Sequence, residues 1–581
     1  MKIVLSILLT SLLSIAYLHI SKPVSISSEE ARLNVSRYKQ QFIIGCAVNI
    51  AGFNLDDPAS EIPLLDGWGK YRMPLTENND SAYIYFQQGI NMYYGYHIIE
   101  ALASFDKSTK FDSSFAMGYW GKALSYGPNI NDLGYAASPD ALLAVEKAKA
   151  LSSNVSDVDK ALINAISVRY SADTIQTREH LDQLYADAMK QAHEQYPGNM
   201  DVAVLYADAL MIQHPWDLYD RYGKPKTWTP LIVTTLEDVL KINPEHPGAA
   251  HYYIHAVEAS DHPEKALKVA AELPSLMPGV AHLVHMPAHI YIRTGHYAEG
   301  VTVNEQAVKG YENYLSKYPA VANNSGLYFS HALHMQATCA NMDGRYAEAM
   351  QASLDTRNSI DTSWLSIPDF FGVYIQYIYM TPVLTQIRFG KWDDIINEPE
   401  ISSSYVYANL LWHYARGLAF ARKHDFIKAN KELEALQFDL KNDQLKAPAP
   451  NYANPGINGA QVAEKILTGV IAEEQNNLSQ SILLLTEAVQ LEDAMIYDEP
   501  KDWVHPARQY LGNVLIKAGK YADAEKAFHE DLEININNGW SYTGLAAALQ
   551  KQGKKKEAAS AETLARKAFE HSDVKIMEAV F

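Results

Sequence analysis

The sequence predicts an all-α fold, a superhelical solenoid of stacked helix-turn-helix pairs, and three observations carry that expectation. The chain has 581 residues, more than one ordinary core needs, so it must hold several domains or one array whose core grows with its length. A 34-residue period is visible near the C-terminus. No segment of useful length alternates with a strand period, and no P-loop, Rossmann glycine run or GxSxG elbow stands in the chain.

The period is read from residues. Leu511, Gly512, Gly519, Tyr521, Ala524 and Phe528 are followed by Leu545, Ala546, Gly553, Lys555, Ala558 and Glu562, each 34 positions later. The same turn recurs at Gly295 and Gly344 and more loosely at Gly390 and His424, and Ala101 and Phe105 repeat the spacing of Ala524 and Phe528. Glycine there ends a helix in a left-handed cap, the aromatic packs under the turn, and alanine lets the next helix approach. This pattern resembles the tetratricopeptide repeat, over roughly residues 80–570 as about nine or ten pairs. The expected divisions are a signal peptide or N-terminal anchor at 1–22, an extension at 23–79, N-terminal helix pairs at 80–240, histidine-rich pairs at 241–360 and C-terminal pairs at 361–581.

Composition narrows the partners. A formal charge of -19 repels phosphate backbones, and basic residues cluster only at Gly553 to Glu557, so no nucleic-acid partner is expected. With only Cys46 and Cys339 the chain can build neither a disulfide framework nor a cysteine-rich zinc module, and any metal must be held by His, Asp and Glu. One basic residue and an apolar run from Ile3 to Leu18 open the chain. They suit an export signal or an uncleaved membrane anchor, which places the protein in the cell envelope, periplasmic or anchored facing outward.

Three stretches interrupt the period, beginning at His214, Ala447 and Met495. Their Pro, Gly and aromatic content reads as loops, and insertions in a solenoid tend to emerge on one face, here the groove rim.

Half of the 20 histidines fall between His246 and His334. With Asp261, Gly295 and Gly344 as equivalent turns, His251, His285 and His334 lie ten residues before their turn, His255 and His289 six, His282 and His331 thirteen, and Glu258 three. Those offsets occupy one face of the first helix in each of three consecutive pairs. In the tetratricopeptide family, which the turns resemble, that face lines the concave groove and contacts ligands. Imidazoles at i,i+3 or i,i+4 bring two nitrogens to one ion. The candidate metal ligands are therefore His251, His255, Glu258, His282, His285, His289, His331 and His334, with Asp208 as a further oxygen ligand.

Two or three ions fit so many imidazoles, or one ion with acid/base histidines; nitrogen-rich, thiolate-free ligation favours copper or zinc, with iron next. His246, His262 and His296 read as turn residues, His97 with Glu100 as structural, and Trp503 and Arg508 as loop anchors. Two functions remain open: a transition-metal protein, catalytic on a small organic or peptide substrate, and a non-enzymatic scaffold gripping a peptide or protein partner.

Overall fold

A computed structural model describes residues 61–131, 138–173, 175–318 and 326–581. The expected signal or anchor, most of the N-terminal extension and Cys46 lie outside the described residues. Among these residues there are no strands, only one isolated bridge between Tyr219 and Pro225, and none of the helices is long and apolar enough to cross a membrane.

The helices run in order as α1 Asp80–Tyr94, α2 Ile98–Phe111, α3 Ala116–Ser125, α4 Pro139–Leu151, α5 Asp157–Ile166, α6 Arg178–Gln195, α7 Met200–Gln213, α8 Thr229–Ile242, α9 Pro247–Val257, α10 Leu267–Leu276, α11 Ala281–His285, α12 Pro287–Thr294 and α13 Tyr297–Lys317. After them come α14 Gly326–Asp343, α15 Tyr346–Ser359, α16 Phe370–Tyr379, α17 Thr381–Arg388, α18 Trp392–Asn397, α19 Val406–Arg422, α20 Phe426–Asp439, α21 Gly456–Glu474, α22 Leu478–Asp493, α23 Ala507–Lys517, α24 Tyr521–Ile534, α25 Gly539–Lys551 and α26 Lys555–Ala568. Sequential helices pack as antiparallel pairs, each closing its apolar stripe on its neighbours, and two large apolar cores run through the N-terminal and C-terminal halves.

The turns follow the chemistry of their residues. Gly295, Gly344, Gly390, Gly519 and Gly553 all stand at positive φ between a first and a second helix, where a side chain would strain the backbone. His424 (φ 58°) and Asn476 (φ 62°) fill the same position in two C-terminal pairs, which is why the repeat looked weaker there. Two glycines give a graded test. Gly519 (φ 75°) has open space where a Cβ would stand, while a Cβ on Gly295 (φ 73°) would fall on the Ile536 carbonyl oxygen. Gly519→Ala should cost about 1 kcal/mol in urea unfolding, the left-handed penalty alone, and Gly295→Ala roughly 2–3 kcal/mol or more as the backbones are forced apart.

That close approach has a structural meaning. The turns of the histidine-rich pairs pack on the end of the array: Tyr297 donates its hydroxyl to Ile536 O (2.9 Å), and Asp573 accepts from the amides of Tyr346 and Ala347 (2.6 and 2.8 Å). The superhelix thereby folds its C-terminal pairs against the middle ones. The three interrupting stretches are loops, as read, except that Thr229 and Pro230 belong to α8 and the residues from Gly456 to α21.

One local expectation needs correction. The second histidine helix is not continuous: Pro287 lacks an N–H and clashes with the preceding turn, so the chain breaks at Met286 into α11 and α12. His282 and His285 therefore sit on one short helix and His289 on the next.

Candidate metal centre

The histidine face does not line an open groove. His251 and His282 are fully buried, and His255, His285, His289, His331 and His334 nearly so. Two things cover them. The end of α1 and its turn set the Tyr94 carbonyl on His251 and lay the Tyr96 ring over the first histidines, with Tyr96 held at φ 55°, rare for a bulky residue, and its ring 4.7 Å from that of His251. On the other side all three interrupting loops converge on a cleft beside His255, His289 and His331, contributing Trp216, Tyr452 and Tyr497 among others.

Six of the seven histidines meet in two groups of three, His251 with His255 and His282, and His285 with His289 and His331. In the first, His251 Nε2 lies 3.1 Å from both His282 Nε2 and His255 Nε2. In the second, His289 Nε2 is 2.9 Å from His285 Nε2 and 3.5 Å from His331 Nε2. Ligands at 2.0–2.1 Å in a tetrahedral shell stand about 3.3 Å apart, so these spacings match the edges of a metal's coordination shell. The two groups adjoin, with ring centroids 6.1 Å apart between His255 and His289 and 6.2 Å between His282 and His285.

Proton placement makes the fit sharper. His251 Nδ1 faces the Tyr94 carbonyl (2.6 Å) and His255 Nδ1 faces Glu258 Oε1 (3.2 Å). Both partners only accept, so both Nδ1 atoms carry the proton, and the two Nε2 atoms that face each other are the positions left to ligate a metal. A single proton on His282 Nε2 serves one of them and leaves the other bare. His285 Nδ1 likewise faces Asn304 Oδ1 (2.6 Å), and that amide is oriented by its own donation to Gly300 O (2.8 Å). His289 Nδ1 faces Glu258 Oε2 (3.1 Å) and Glu499 Oε2. Buried lone pairs in mutual contact call for a cation between them.

The electrostatics agree. Burial, with the repulsion of neighbouring imidazoles, holds His251, His282 and His331 well below the usual histidine range and His285 at about 3, so all four are neutral and free to ligate. Burial would lower His289 too, but the carboxylates of Glu499 and Glu258 reverse that and raise it to about 10. Without an ion it is an imidazolium donating from Nε2 toward His285, and an ion entering the second group replaces that proton. Burial would raise Glu258, yet His255 and His289 draw it down to about 2.

Glu258 is thus the centre of the arrangement: one oxygen orients a histidine of the first group, the other a histidine of the second. A third cluster, Glu258, His289 and Glu499, also brings three ligand atoms together, but it uses His289 Nδ1, the edge facing away from the other imidazoles. Glu499 comes from the loop after α22 and was not singled out in the sequence, because it belongs to no helical period; the acid-rich run Asp498, Glu499, Asp502 was its one signal. His334 stands apart from both groups, toward a side pocket with Trp364 and Phe371 and 6.4 Å from the ring of Tyr377. Burial alone brings its pKa to about 4.

Asp208 is not among the three clusters of the described residues. It accepts from Tyr93 Oη (2.7 Å), and burial raises it to about 6. His97 pairs with Glu100 (3.3 Å), to which Tyr314 also donates.

No family model matches the chain, and no curated protein is similar to it in sequence. Solved structures that align with it include the human IFIT1 dimer with m7Gppp-AAAA, at 13% identity over 85% of this chain and 91% of that one with a TM-score of 0.29. Yeast Tom70 aligns at 10% identity over 85% and 91% with a TM-score of 0.27, and the P58(IPK) TPR domain at 10% over 85% and 99% with a TM-score of 0.23. At such scores the likeness carries no argument about this molecule, and the fold stands on its own helix pairs and left-handed turns. The chain is a tetratricopeptide-type α-helical solenoid, with His/Glu groups buried in its middle pairs that could hold metal.

Proposed function

We propose that this is an exported metalloprotein that binds two transition-metal ions, one in each tri-histidine group, and uses them on a small organic substrate admitted through the adjoining cleft. The observation that carries the reading is the convergence of buried Nε2 atoms in two groups of three, at 3.1 Å in the first and 2.9 and 3.5 Å in the second, with the Nδ1 atoms of His251, His255, His285 and His289 turned to other partners. Copper or zinc suits six imidazole nitrogens without thiolate, and iron comes next.

Three protein ligands leave each ion an open position, which is the arrangement of catalytic rather than structural sites. An ion so held supplies Lewis acidity and lowers the pKa of bound water, or, for copper, meets dioxygen. The chain's own residues orient the imidazoles, exclude bulk water through Tyr94 and Tyr96, and place the Glu499 carboxyl, raised by burial to about 7, where it can hold or move a proton. A peptide groove, by contrast, would leave its histidines solvated, and these are buried. Export rests on the apolar N-terminal run.

Titration of chelator-treated protein with copper or zinc against a competing chelator tests the reading. Two equivalents should bind, His251→Ala should lose one and His285→Ala the other. Binding of no ion, or loss of both in each variant with the fold intact by circular dichroism, would overturn it.

A further inference from the structure

The cleft beside the histidines has a wall chemistry of its own. It has a cavity volume of about 80 Å³ and opens to solvent, and four aromatic side chains line it: Trp216, Tyr374, Tyr452 and Tyr497. Three carboxyl groups line it as well, Glu258, Asp498 and Glu499, and no Lys or Arg does. Arg293, beside the cleft, donates to the carbonyls of Glu258 and Ser260 (2.6 and 2.9 Å) and lies over the ring of Tyr497. Its charge and that of His289 face these acids, and Glu258 with the Oε2 of Glu499 already holds His289.

What is left over is acid. Glu499 is only 8% exposed, and its Oε1 has no hydrogen-bond partner. The carboxyls of Asp498 and Asp502 face each other closely enough to hydrogen bond, an arrangement that needs a proton or a cation beside it. The hydroxyl of Tyr497 is buried and unpartnered too. Trp216 is held at φ 57° with its ring edge-on to His255 at 5.3 Å; strain at so large a residue, with its ring facing the cleft, marks a position kept for contact rather than for folding.

We propose that the cleft binds an organic amine, its aromatic or apolar body against Trp216, Tyr374, Tyr452 and Tyr497 and its ammonium group against Asp498 and Glu499. Aromatic faces together with buried carboxylates attract a desolvated cation, whereas the carboxyls of Asp498 and Glu499 would repel a carboxylate or phosphate substrate. The amine would lie with its far end toward the histidine groups, so the proposal takes over the reading of the cleft as the substrate end of the metal site, although amine binding itself needs no ion.

Calorimetric titration of the full-length chelated protein with phenethylamine, 2-phenylethanol and phenylacetate tests it. Phenethylamine should bind at least about 10-fold more tightly than the alcohol, with phenylacetate weakest; Asp498→Asn should erase the preference, and Trp216→Leu should weaken phenethylamine and the alcohol alike. Equal affinity for amine and alcohol, or a preference for the acid, would overturn the proposal even if Asp498→Asn failed to fold. Metal content measured on the same preparation separates the two ideas: amine selectivity without metal uptake leaves this one standing, and metal uptake without selectivity leaves only the other.

Discussion

Glu258→Gln should weaken metal binding in the first histidine group by about 10- to 100-fold and in the second by less, a graded loss from one substitution. The reason is the count of acceptors. Glu258 offers Oε1 to His255 Nδ1 and Oε2 to His289 Nδ1, and an amide keeps one oxygen and turns an N–H₂ toward the other ring, which already carries a proton there. Partners of this kind orient a ligating imidazole and raise its basicity, and their loss typically costs 10- to 100-fold in affinity. His289 retains Glu499, whereas His255 has no other Nδ1 partner described, so the first group suffers more. Glu499→Gln should show the opposite selectivity, and competition titration of the two variants reads both. Equal, negligible effects would mean that Glu258 orients neither ligand.

The second large effect is acid sensitivity of the metal-free protein. His285 and His334 have folded pKa values of about 3 and about 4, both lowered by burial first, against 6.5 for the free group. Below pH 6.5 the unfolded chain takes up protons that the folded one refuses, so stability is fully present above 6.5 and falls with pH toward those values. Between pH 7 and pH 5 each residue should remove about 2 kcal/mol, a large share of an ordinary domain's stability. His251, His282 and His331 shift in the same direction and add to it. His289 works the other way: its raised value keeps its contribution intact in acid and gives it up as pH rises from 6.5 through about 10. Urea unfolding at the two pH values checks this. Because His334 stands outside both groups, His334→Phe should shrink the difference between pH 7 and pH 5 by about 2 kcal/mol, and an unchanged difference would show that this imidazole is not held neutral.

How far the sequence anticipates these features differs by element. The helix pairs were legible wherever glycine marks the turn, at Gly295, Gly344, Gly519 and Gly553, because a left-handed cap demands a particular residue. They faded where His424 and Asn476 adopt the same conformation, since those residues do so only through local context. The histidine face was legible because equal offsets from equivalent turns need no knowledge of tertiary structure.

Three things were beyond that logic. Stacking distance decides which imidazoles meet, so His331 joins the second group while His334, one turn along α14, does not. Closure of the groove depends on Tyr94 and Tyr96 and on three loops that lie far apart in sequence. The partners that orient the rings come from unrelated places: a backbone carbonyl at Tyr94, an amide at Asn304 on α13 and a carboxylate at Glu499. None has a period to betray it.

A pair of ions between imidazole nitrogens is measured most directly by anomalous X-ray diffraction from crystals of copper- or zinc-loaded protein. Two peaks per chain are expected, one within about 2.0–2.1 Å of the Nε2 atoms of His251, His255 and His282, the other at the same distance from those of His285, His289 and His331. Peaks confined to surface carboxylates, or none in a crystal whose mother liquor holds saturating metal, would contradict it.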